Sequence, residues 1–373
     1  MTECKKKIEI GSEFWDADIS ESLIDICDSS YDSAFLLSGR TALDFVIRDI
    51  VFKLNRGFSA YLPSYCCETM IEPFINNGCS VDFYNVDFVN GKFVQNIDIE
   101  KQCDVVLTMQ YFGFVDYSLK NVIDEFKSRE TIVIEDATHS FFSCNRYHNN
   151  SDYVFCSFRK WTGINAGAIA LKNCSLFSIK KPDLINNKYI EFREKANEIK
   201  SKYIYDIARQ SSEKTEQEYN SLKTSYLQLY NDAESLLSTD YSEYSIPQKI
   251  ADNLLHLDAE KIINKRKENI KYLSKSLEIN SQLEISKFDL HTDTPLFLPI
   301  KVKNNQRNQL RDFLIQEKVY CPVHWPLSIL HNASNEDIYL NNLSIVCDQR
   351  YDVSDMERIV NLIKQFTSEE KFC

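Results

Sequence analysis

Short apolar runs alternate with amphipathic stretches along the first half of the sequence. Two of the amphipathic stretches, residues 68–75 and 119–128, have apolar residues at helical spacing and predict helices. The apolar runs predict strands at residues 59–63, 80–87, 104–111, 131–134, 153–157 and 168–171. This alternation of strand and helix is typical of a mainly parallel sheet with helices packed on its faces. We therefore predict an α/β fold for this part of the chain.

The pattern differs in the rest of the chain. Residues 1–36 predict a short arm and a helix, and the polar, Lys- and Glu-rich residues 176–240 predict two or three long helices. Such a charged stretch is usually a solvated face, and we assign it no chemistry. Beyond Pro247 the pattern predicts an amphipathic helix, then strands at 283–302 and 342–347 and helices at 306–317 and 353–367. We divide the chain into a large domain, residues 1–240, and a smaller α+β domain, residues 241–373.

Composition and charge narrow the range of partners. The 373-residue chain has a formal net charge of −12 and a pI near 5.1, so we expect neither nucleic acid nor an anionic membrane surface as its partner. No apolar run reaches the roughly 20 residues that span a bilayer, and no apolar segment follows the lysines at 5–7. We expect a cytoplasmic protein. The 12 cysteines lack the paired close spacing of zinc ligands, so no metal site is expected.

Two polar groups follow the predicted strands at 131–134 and 153–157. Asp136 lies just past the first strand and Lys160 just past the second. Ligands of parallel α/β sheets bind at the carboxyl ends of the strands. A desolvated lysine loses its proton readily and forms Schiff bases with aldehydes, and a buried carboxylate can keep a pyridinium nitrogen protonated. These two residues together indicate chemistry with pyridoxal 5′-phosphate.

The phosphate of such a cofactor has a candidate seat as well. Residues 38–41, which include Gly39 and Arg40, predict a turn before a helix that begins at Ala42, and the N-terminus of a helix offers free N–H groups and the positive end of a dipole. Ser157 places a hydroxyl three residues before Lys160. We expect Lys160 to be buried beside Arg159, because both conditions favour the neutral amine.

Five segments in this order resemble the DegT/DnrJ/EryC1/StrS family of pyridoxal-phosphate-dependent sugar aminotransferases. They are SGRTAL at 38–43, LPSYCC at 62–67, QYFG at 110–113, EDATHS at 135–140 and SFRKWTG at 157–163. The likeness covers about residues 30–175 well, and the ordered series is specific where one segment alone would be weak. A sixth segment, DQRY at 348–351, resembles the family's C-terminal part.

The resemblance implies the type I aspartate-aminotransferase fold, in which a large domain with a mainly parallel sheet binds pyridoxal phosphate. It also implies a homodimer with its sites near the interface. The implied activity is transfer of an amino group to a keto sugar, most simply a nucleotide-linked one. Glutamate is the default amino donor.

Residue roles follow from the same resemblance. Lys160 would bind the cofactor aldehyde and Asp136 the ring nitrogen, while His139 would touch the ring oxygen or brace Asp136. The other implied cofactor contacts are Gly39, Arg40, Thr41, Cys67, Gln110 and Ser157. The implied substrate contacts are Tyr65, Phe112, His324, Trp325 and Arg350. For Arg350, a surface pair with Asp348 is the alternative.

Three departures from the family pattern keep other functions open. Cys67 stands where an aromatic residue usually stacks on the cofactor ring, Ala166 replaces a glycine, and the asparagine that the partner subunit donates to the phosphate has no clear counterpart near residues 244–247. The alternatives are another pyridoxal-phosphate reaction on a sugar, such as deoxygenation, and a degenerate member that binds a nucleotide sugar or a partner protein without turnover. Lys160 argues against deoxygenation, because the relatives that catalyse it carry histidine there.

Overall fold

A computed structural model describes residues 9–26, 29–208, 215–277, 282–327, 330 and 336–369. The strands, in chain order, are β1 (Ile10–Gly11), β2 (Tyr31–Leu36), β3 (Ser59–Pro63), β4 (Ser80–Val89), β5 (Lys92–Asn96), β6 (Val105–Met109), β7 (Ile132–Asp136), β8 (Tyr153–Ser157), β9 (Ala168–Asn173), β10 (Leu184–Ile185), β11 (Tyr244–Ser245), β12 (Leu283–Ile285), β13 (Leu298–Val302), β14 (Val319–Tyr320) and β15 (Asn342–Ile345). The α-helices are α1 (Gly39–Leu54), α2 (Glu68–Asn76), α3 (Ser118–Ser128), α4 (Asn187–Ala208), α5 (Glu216–Thr239), α6 (Gln248–Leu255), α7 (Ala259–Ser276), α8 (Arg307–Gln316), α9 (Asp337–Asn341) and α10 (Val353–Glu369).

The main sheet has eight strands in the order β2-β9-β8-β7-β6-β3-β4-β5. Strands β8, β7, β6, β3 and β4 run parallel, whereas β9 is antiparallel to both of its neighbours and β5 is antiparallel to β4. Every residue of β6 and of β8 is buried, as is typical of parallel strands with helices on both faces. The prediction of an α/β fold with a mainly parallel sheet is confirmed.

The prediction of a helix within residues 1–36 is wrong for the part of that range that the structure describes. The chain there forms the short strand β1 and the edge strand β2, which pairs antiparallel with β9. Strand β5 was also not predicted; it pairs with β4 through a turn at Asn90 and Gly91, both with positive φ. In both β2 and β5, polar residues stand between or beside the apolar ones, so neither segment forms the continuous apolar run from which strands were predicted.

Helices α4 and α5 pack against each other as a hairpin beside the sheet. Buried tyrosines from both helices form its core, together with Ala196 and Ile207. Thr215 and Glu218 form a capping box that starts α5, because the side chain of each accepts a hydrogen bond from the backbone N–H of the other. The long helices predicted within residues 176–240 are present, and α5 extends to the main sheet, where its last turn approaches the start of α1.

The C-terminal part is an antiparallel sheet, β12-β13-β15, with its own buried core. Helices α7, α8 and α10 pack together beside it, which agrees with the predicted α+β arrangement. Strand β1 of the arm pairs with β14, so the start of the described chain is attached to this part. The domain boundary near residue 240 stays a prediction. No helix in the described ranges combines the length and the apolar composition needed to cross a bilayer.

A buried ion pair joins α1 to strand β9 of the main sheet. The Asp49 carboxylate accepts hydrogen bonds from Lys172 Nζ at 2.7 Å and from the Tyr153 hydroxyl at 2.7 Å. The side chains of Asp49 and Lys172 are 0% and 7% exposed. The amine of Lys172 is therefore occupied by this pair.

Replacing Lys172 by methionine should destabilise the fold, because the Asp49 charge would remain buried without its partner. We expect the free energy of unfolding, measured in urea, to fall by about 3–5 kcal/mol. The matched control is Lys120→Met, which breaks the exposed pair with Asp124 and should change the free energy by less than about 1 kcal/mol. Equal small losses in both variants would contradict the structural role of the buried pair.

Candidate active site

A cavity of about 270 Å³ opens at the carboxyl edge of the main sheet, near the lower end of the range for small-molecule sites. Strand β7 ends at Asp136 and β8 ends at Ser157, and a 3-10 turn, Phe158–Lys160, follows β8. The cavity brings together nine of the residues that the sequence singled out: Gly39, Arg40, Cys67, Asp136, His139, Ser157, Lys160, His324 and Trp325.

Thr138 ties the two strand ends together. Its N–H donates to Asp136 Oδ1 at 2.8 Å, and its hydroxyl oxygen accepts from the N–H of Ser157 at 3.1 Å. Its carbonyl oxygen accepts from the indole N–H of Trp161 at 2.7 Å. The loop after β7 and the turn after β8 are therefore held in one arrangement, with Thr138 itself lining the cavity. Thr138 was not among the site residues predicted from the sequence.

Asp136 is a buried carboxylate, 4% exposed, at the base of the cavity. Burial raises the pKa of Asp136 to about 6, although hydrogen bonds from Thr138 and the charge of Lys160 act in the opposite direction. No ion pair joins Asp136 to a cation among the described residues. A protonated ring nitrogen would supply the partner that this carboxylate lacks.

His139 is neutral in this environment. Burial, with the positive charge of Lys160, lowers the pKa of His139 to about 3. Its Nδ1 accepts a hydrogen bond from the Phe112 N–H at 3.2 Å, so the ring proton is on Nε2. Its ring stacks on that of Trp325, with centroids 5.6 Å apart and planes at 10°. Of the two predicted roles, a donor to a ring oxygen fits this tautomer, because the hydrogen bond of Nδ1 goes to Phe112 and not to Asp136.

Lys160 lines the cavity, but the expectation that it is buried is wrong. The side chain is exposed, because the 3-10 turn carries it beyond the end of β8. Arg159 also differs from the expectation, since its guanidinium group is paired with Glu234 at 2.5 Å and does not stand beside the lysine as a free charge.

The start of α1 forms one end of the cavity. The Ser38 hydroxyl caps the helix by accepting from the Thr41 N–H at 3.2 Å. Gly39 lies so close to β8 that a Cβ atom there would be 2.9 Å from Cβ of Ser157, which brings the first turn of the helix against the Ser157 side chain. Backbone N–H groups in a first helical turn have no partner within the helix, and they are a natural seat for a phosphate.

The five remaining predicted site residues are placed outside the cavity lining: Tyr65, Thr41, Gln110, Phe112 and Arg350. Three of them support the wall. The Tyr65 hydroxyl donates to the carbonyl oxygen of His324, Phe112 holds His139, and Thr41 donates to the carbonyl oxygen of Tyr241 at 2.8 Å. The amide of Gln110 donates to the carbonyl oxygen of Asn145 at 2.9 Å.

Arg350 does pair with Asp348, but in the interior and not at the surface as the alternative proposed. The two side chains are 9% and 3% exposed, with Nη2 at 2.8 Å from the carboxylate. The same guanidinium group donates to the carbonyl oxygens of Ser12 and Glu13. Arg350 therefore anchors the arm, and no substrate contact follows from its position.

Helix α5 contributes two cavity residues that the sequence analysis missed, Glu234 and Leu237. Both lie in the polar stretch to which we assigned no chemistry. A glutamate in a charge-rich helix carries no signal of its own, and only the contacts of α5 with Arg40 and Arg159 reveal it.

The residues present fit pyridoxal phosphate. A buried carboxylate without a cationic partner suits the ring nitrogen, a neutral histidine with its proton on Nε2 suits the ring oxygen, and the first turn of α1 beside Ser157 suits the phosphate. Lys160 would supply an amine for the aldehyde.

No protein-family model and no curated protein matches the sequence. Solved structures do match. PseC of Helicobacter pylori, an aminotransferase involved in the biosynthesis of pseudoaminic acid, is 14% identical, with a TM-score of 0.61 over 96% of this chain and 100% of that one. Spr1654 of Streptococcus pneumoniae, assigned as a sugar aminotransferase and solved in a PLP form, is 14% identical, with a TM-score of 0.61 over 90% and 87% of the two chains.

A third match is a DegT DnrJ EryC1 StrS aminotransferase from Brucella abortus, 14% identical, with a TM-score of 0.57 over 90% of this chain and 85% of that one. Likeness at this level of identity establishes the fold and leaves activity to be argued from the site. The chain has the fold of the DegT/DnrJ/EryC1/StrS sugar aminotransferases, as the ordered sequence segments predict.

Proposed function

We propose that this protein is a pyridoxal-phosphate-dependent aminotransferase that transfers an amino group to a keto sugar. The observation that supports it most is the convergence of Asp136, His139 and Lys160 on one cavity beside the start of α1. The finer proposal is a nucleotide-linked sugar as acceptor and glutamate as donor. Such a reaction would serve the synthesis of a surface polysaccharide or of a secondary-metabolite sugar.

Each residue has a defined task in this proposal. Pyridoxal phosphate supplies, when bound, an aldehyde that accepts the amino group and a ring that withdraws electrons. Asp136 holds the proton on the ring nitrogen, and His139 donates its Nε2 proton toward the ring oxygen. Lys160 would hold the aldehyde through its amine and would move the proton at the reacting substrate carbon as general base and acid.

We further propose a cytoplasmic homodimer. Lys160 is exposed in the single chain, although a proton-transferring amine works best when water is excluded. A second chain over the mouth of the cavity would provide that exclusion.

A degenerate member that binds a nucleotide sugar without turnover is the alternative function. The observation in its favour is the partly exposed Cys67, whose thiol accepts a hydrogen bond from the Thr69 hydroxyl at 3.0 Å in the cavity wall where relatives carry an aromatic ring. Another pyridoxal-phosphate reaction on a sugar remains a second alternative.

The two half-reactions test the function directly. We expect the purified protein with pyridoxal phosphate to absorb visible light, to lose this absorbance with glutamate, and to regain it with one member of a panel of nucleotide-linked keto sugars. Asp136→Asn is the matched variant: it should keep the fold and bind cofactor but react at least about 100-fold more slowly, because an unprotonated ring is a poor electron sink. A wild-type protein that stays colourless with added cofactor would instead support the binding role.

The pH dependence of stability tests the environment of Asp136 without any cofactor. Its folded pKa of about 6 lies above the ordinary value of 3.8, so its stabilising contribution is complete below pH 4 and is lost as the pH rises through 6. The loss amounts to about 3 kcal/mol for this fully buried group. In urea unfolding of the apo-protein, Asp136→Asn should therefore gain stability relative to wild type between pH 4 and 7.

The control for this measurement is Asp124→Asn. Hydrogen bonds from Lys120 and Asn150 lower the pKa of Asp124 below its ordinary value of 3.8, so its contribution to stability is already present above pH 4, and the difference between wild type and Asp124→Asn should stay nearly constant between pH 4 and 7. A difference between wild type and Asp136→Asn that does not change with pH would show that Asp136 is not held in a desolvated site.

A further inference from the structure

A cluster of arginines and glutamates forms the wall of the cavity between Lys160 and α5. Arg159 Nη1 donates to Glu234 Oε1 at 2.5 Å and to the Tyr189 hydroxyl at 2.6 Å. Arg193 Nη1 lies 3.9 Å from the same Glu234 oxygen and 3.5 Å from Glu13 Oε2. Both Arg159 and Glu234 line the cavity, together with Ser157 and Gly39 at the proposed phosphate seat.

This cluster has more hydrogen-bond donors than acceptors. The Nε atoms of Arg159 and of Arg193 are buried and have no hydrogen-bond partner among the described residues. The side chains of Arg159 and Arg193 are 16% and 2% exposed, whereas that of Glu234 is 51% exposed. A buried donor without an acceptor destabilises the protein, so a second anion at this place would be favourable.

Arg40, the cation that the sequence suggested for the phosphate, is engaged elsewhere. Its Nη1 donates to the carbonyl oxygen of Leu237 at 3.1 Å and lies 3.4 Å from Glu72 Oε2. Its guanidinium group also stands over the ring of Tyr241, 5.3 Å from the centroid. These contacts fasten the end of α5 to the start of α1. Arg159 makes its hydrogen bonds through Nη1 and leaves Nε without a partner, so it keeps a donor for a ligand.

We propose that Arg159 is the side chain that binds the cofactor phosphate, and that Glu234 is an internal carboxylate that holds Arg159 until the phosphate takes its place. The inference rests on the proposed function, since it concerns the phosphate of pyridoxal phosphate.

The exchange is favourable on charge and geometry. A guanidinium group binds a phosphate through two parallel N–H groups, so the free Nε of Arg159 would gain an acceptor, whereas its contact with Glu234 uses Nη1 alone. Glu234 is half exposed and can turn to water, so its charge stays solvated when the phosphate takes its place.

Glu234 is a permanent anion in the wall of this seat. Desolvation favours its neutral form, but the positive charges of Arg159 and Arg193 outweigh that effect and lower the pKa of Glu234 to about 2. A phosphate would be repelled by this carboxylate if it stayed in place. Removing its charge should therefore strengthen phosphate binding, while removing the charge of Arg159 should weaken it.

The test is a comparison of pyridoxal phosphate with pyridoxal, which has the same aldehyde and ring but no phosphate. Dissociation constants of both are measured by absorbance titration for wild type, Arg159→Gln, Arg159→Lys and Glu234→Gln. Arg56→Gln, which removes the same charge from an exposed pair with Asp104, is the control. Circular dichroism checks that each variant is folded. If Arg159→Gln does not fold, Arg159→Lys takes its place in the comparison.

We expect Arg159→Gln to raise the dissociation constant of pyridoxal phosphate by about 10- to 100-fold, because a charge-assisted contact is lost. The dissociation constant of pyridoxal should rise by less than about threefold. The dissociation constant of Arg159→Lys for pyridoxal phosphate should lie between those of wild type and Arg159→Gln. Glu234→Gln should bind pyridoxal phosphate more tightly than wild type does, and Arg56→Gln should bind it as wild type does. An unchanged ratio of the two constants in Arg159→Gln would overturn the assignment of Arg159, and weaker phosphate binding in Glu234→Gln would overturn the exchange. A wild-type protein that binds neither compound would refute the proposed function itself.

Discussion

The hydrogen bonds of Thr138 are the constraint on which the site depends. Strands β7 and β8 are parallel neighbours, so their carboxyl ends meet at one edge of the sheet, but this alone leaves the loops beyond them free to diverge. Thr138 joins Asp136, the N–H of Ser157 and the indole of Trp161. The acid and the lysine-bearing turn are thereby fixed relative to each other before any ligand binds, which is the preorganisation that catalysis requires.

The electrostatic character of the site follows from this arrangement. The carboxylate of Asp136 is held in a desolvated place without a cation, and His139 is kept neutral in the same surroundings. The buried charge of Asp136 weakens the apo-protein, and in the proposed function a ring with a protonated nitrogen would relieve it. At the other end of the cavity, Arg159 and Glu234 form a pair that a more highly charged anion can open. The residues of the cavity thus reduce the stability of the apo-protein at the place where a ligand is proposed to bind.

Features that depend on residues close together in the sequence could be predicted, whereas contacts between residues far apart in the sequence could not. The sheet, and the positions of Asp136 and Lys160 at its strand ends, follow from local apolar runs and their order, which the sequence carries directly. The partners of Arg159 and Arg350 depend on which distant segments pack against them. Glu234 is 75 residues from Arg159, and Ser12 is 338 residues from Arg350, so no spacing rule connects them. The exposure of Lys160 likewise depends on a 3-10 turn that the apolar pattern does not encode.

The central claim, that Lys160 is the amine that holds the cofactor, is tested most directly by reductive trapping. The protein is incubated with pyridoxal phosphate, reduced with borohydride, digested and mapped by mass spectrometry. We expect a pyridoxyl group on Lys160 of the wild-type protein. The folded Lys160→Ala variant should carry no pyridoxyl group and should also lose the visible absorbance band. A label on Lys172 or on any other lysine of the wild-type protein would contradict the account.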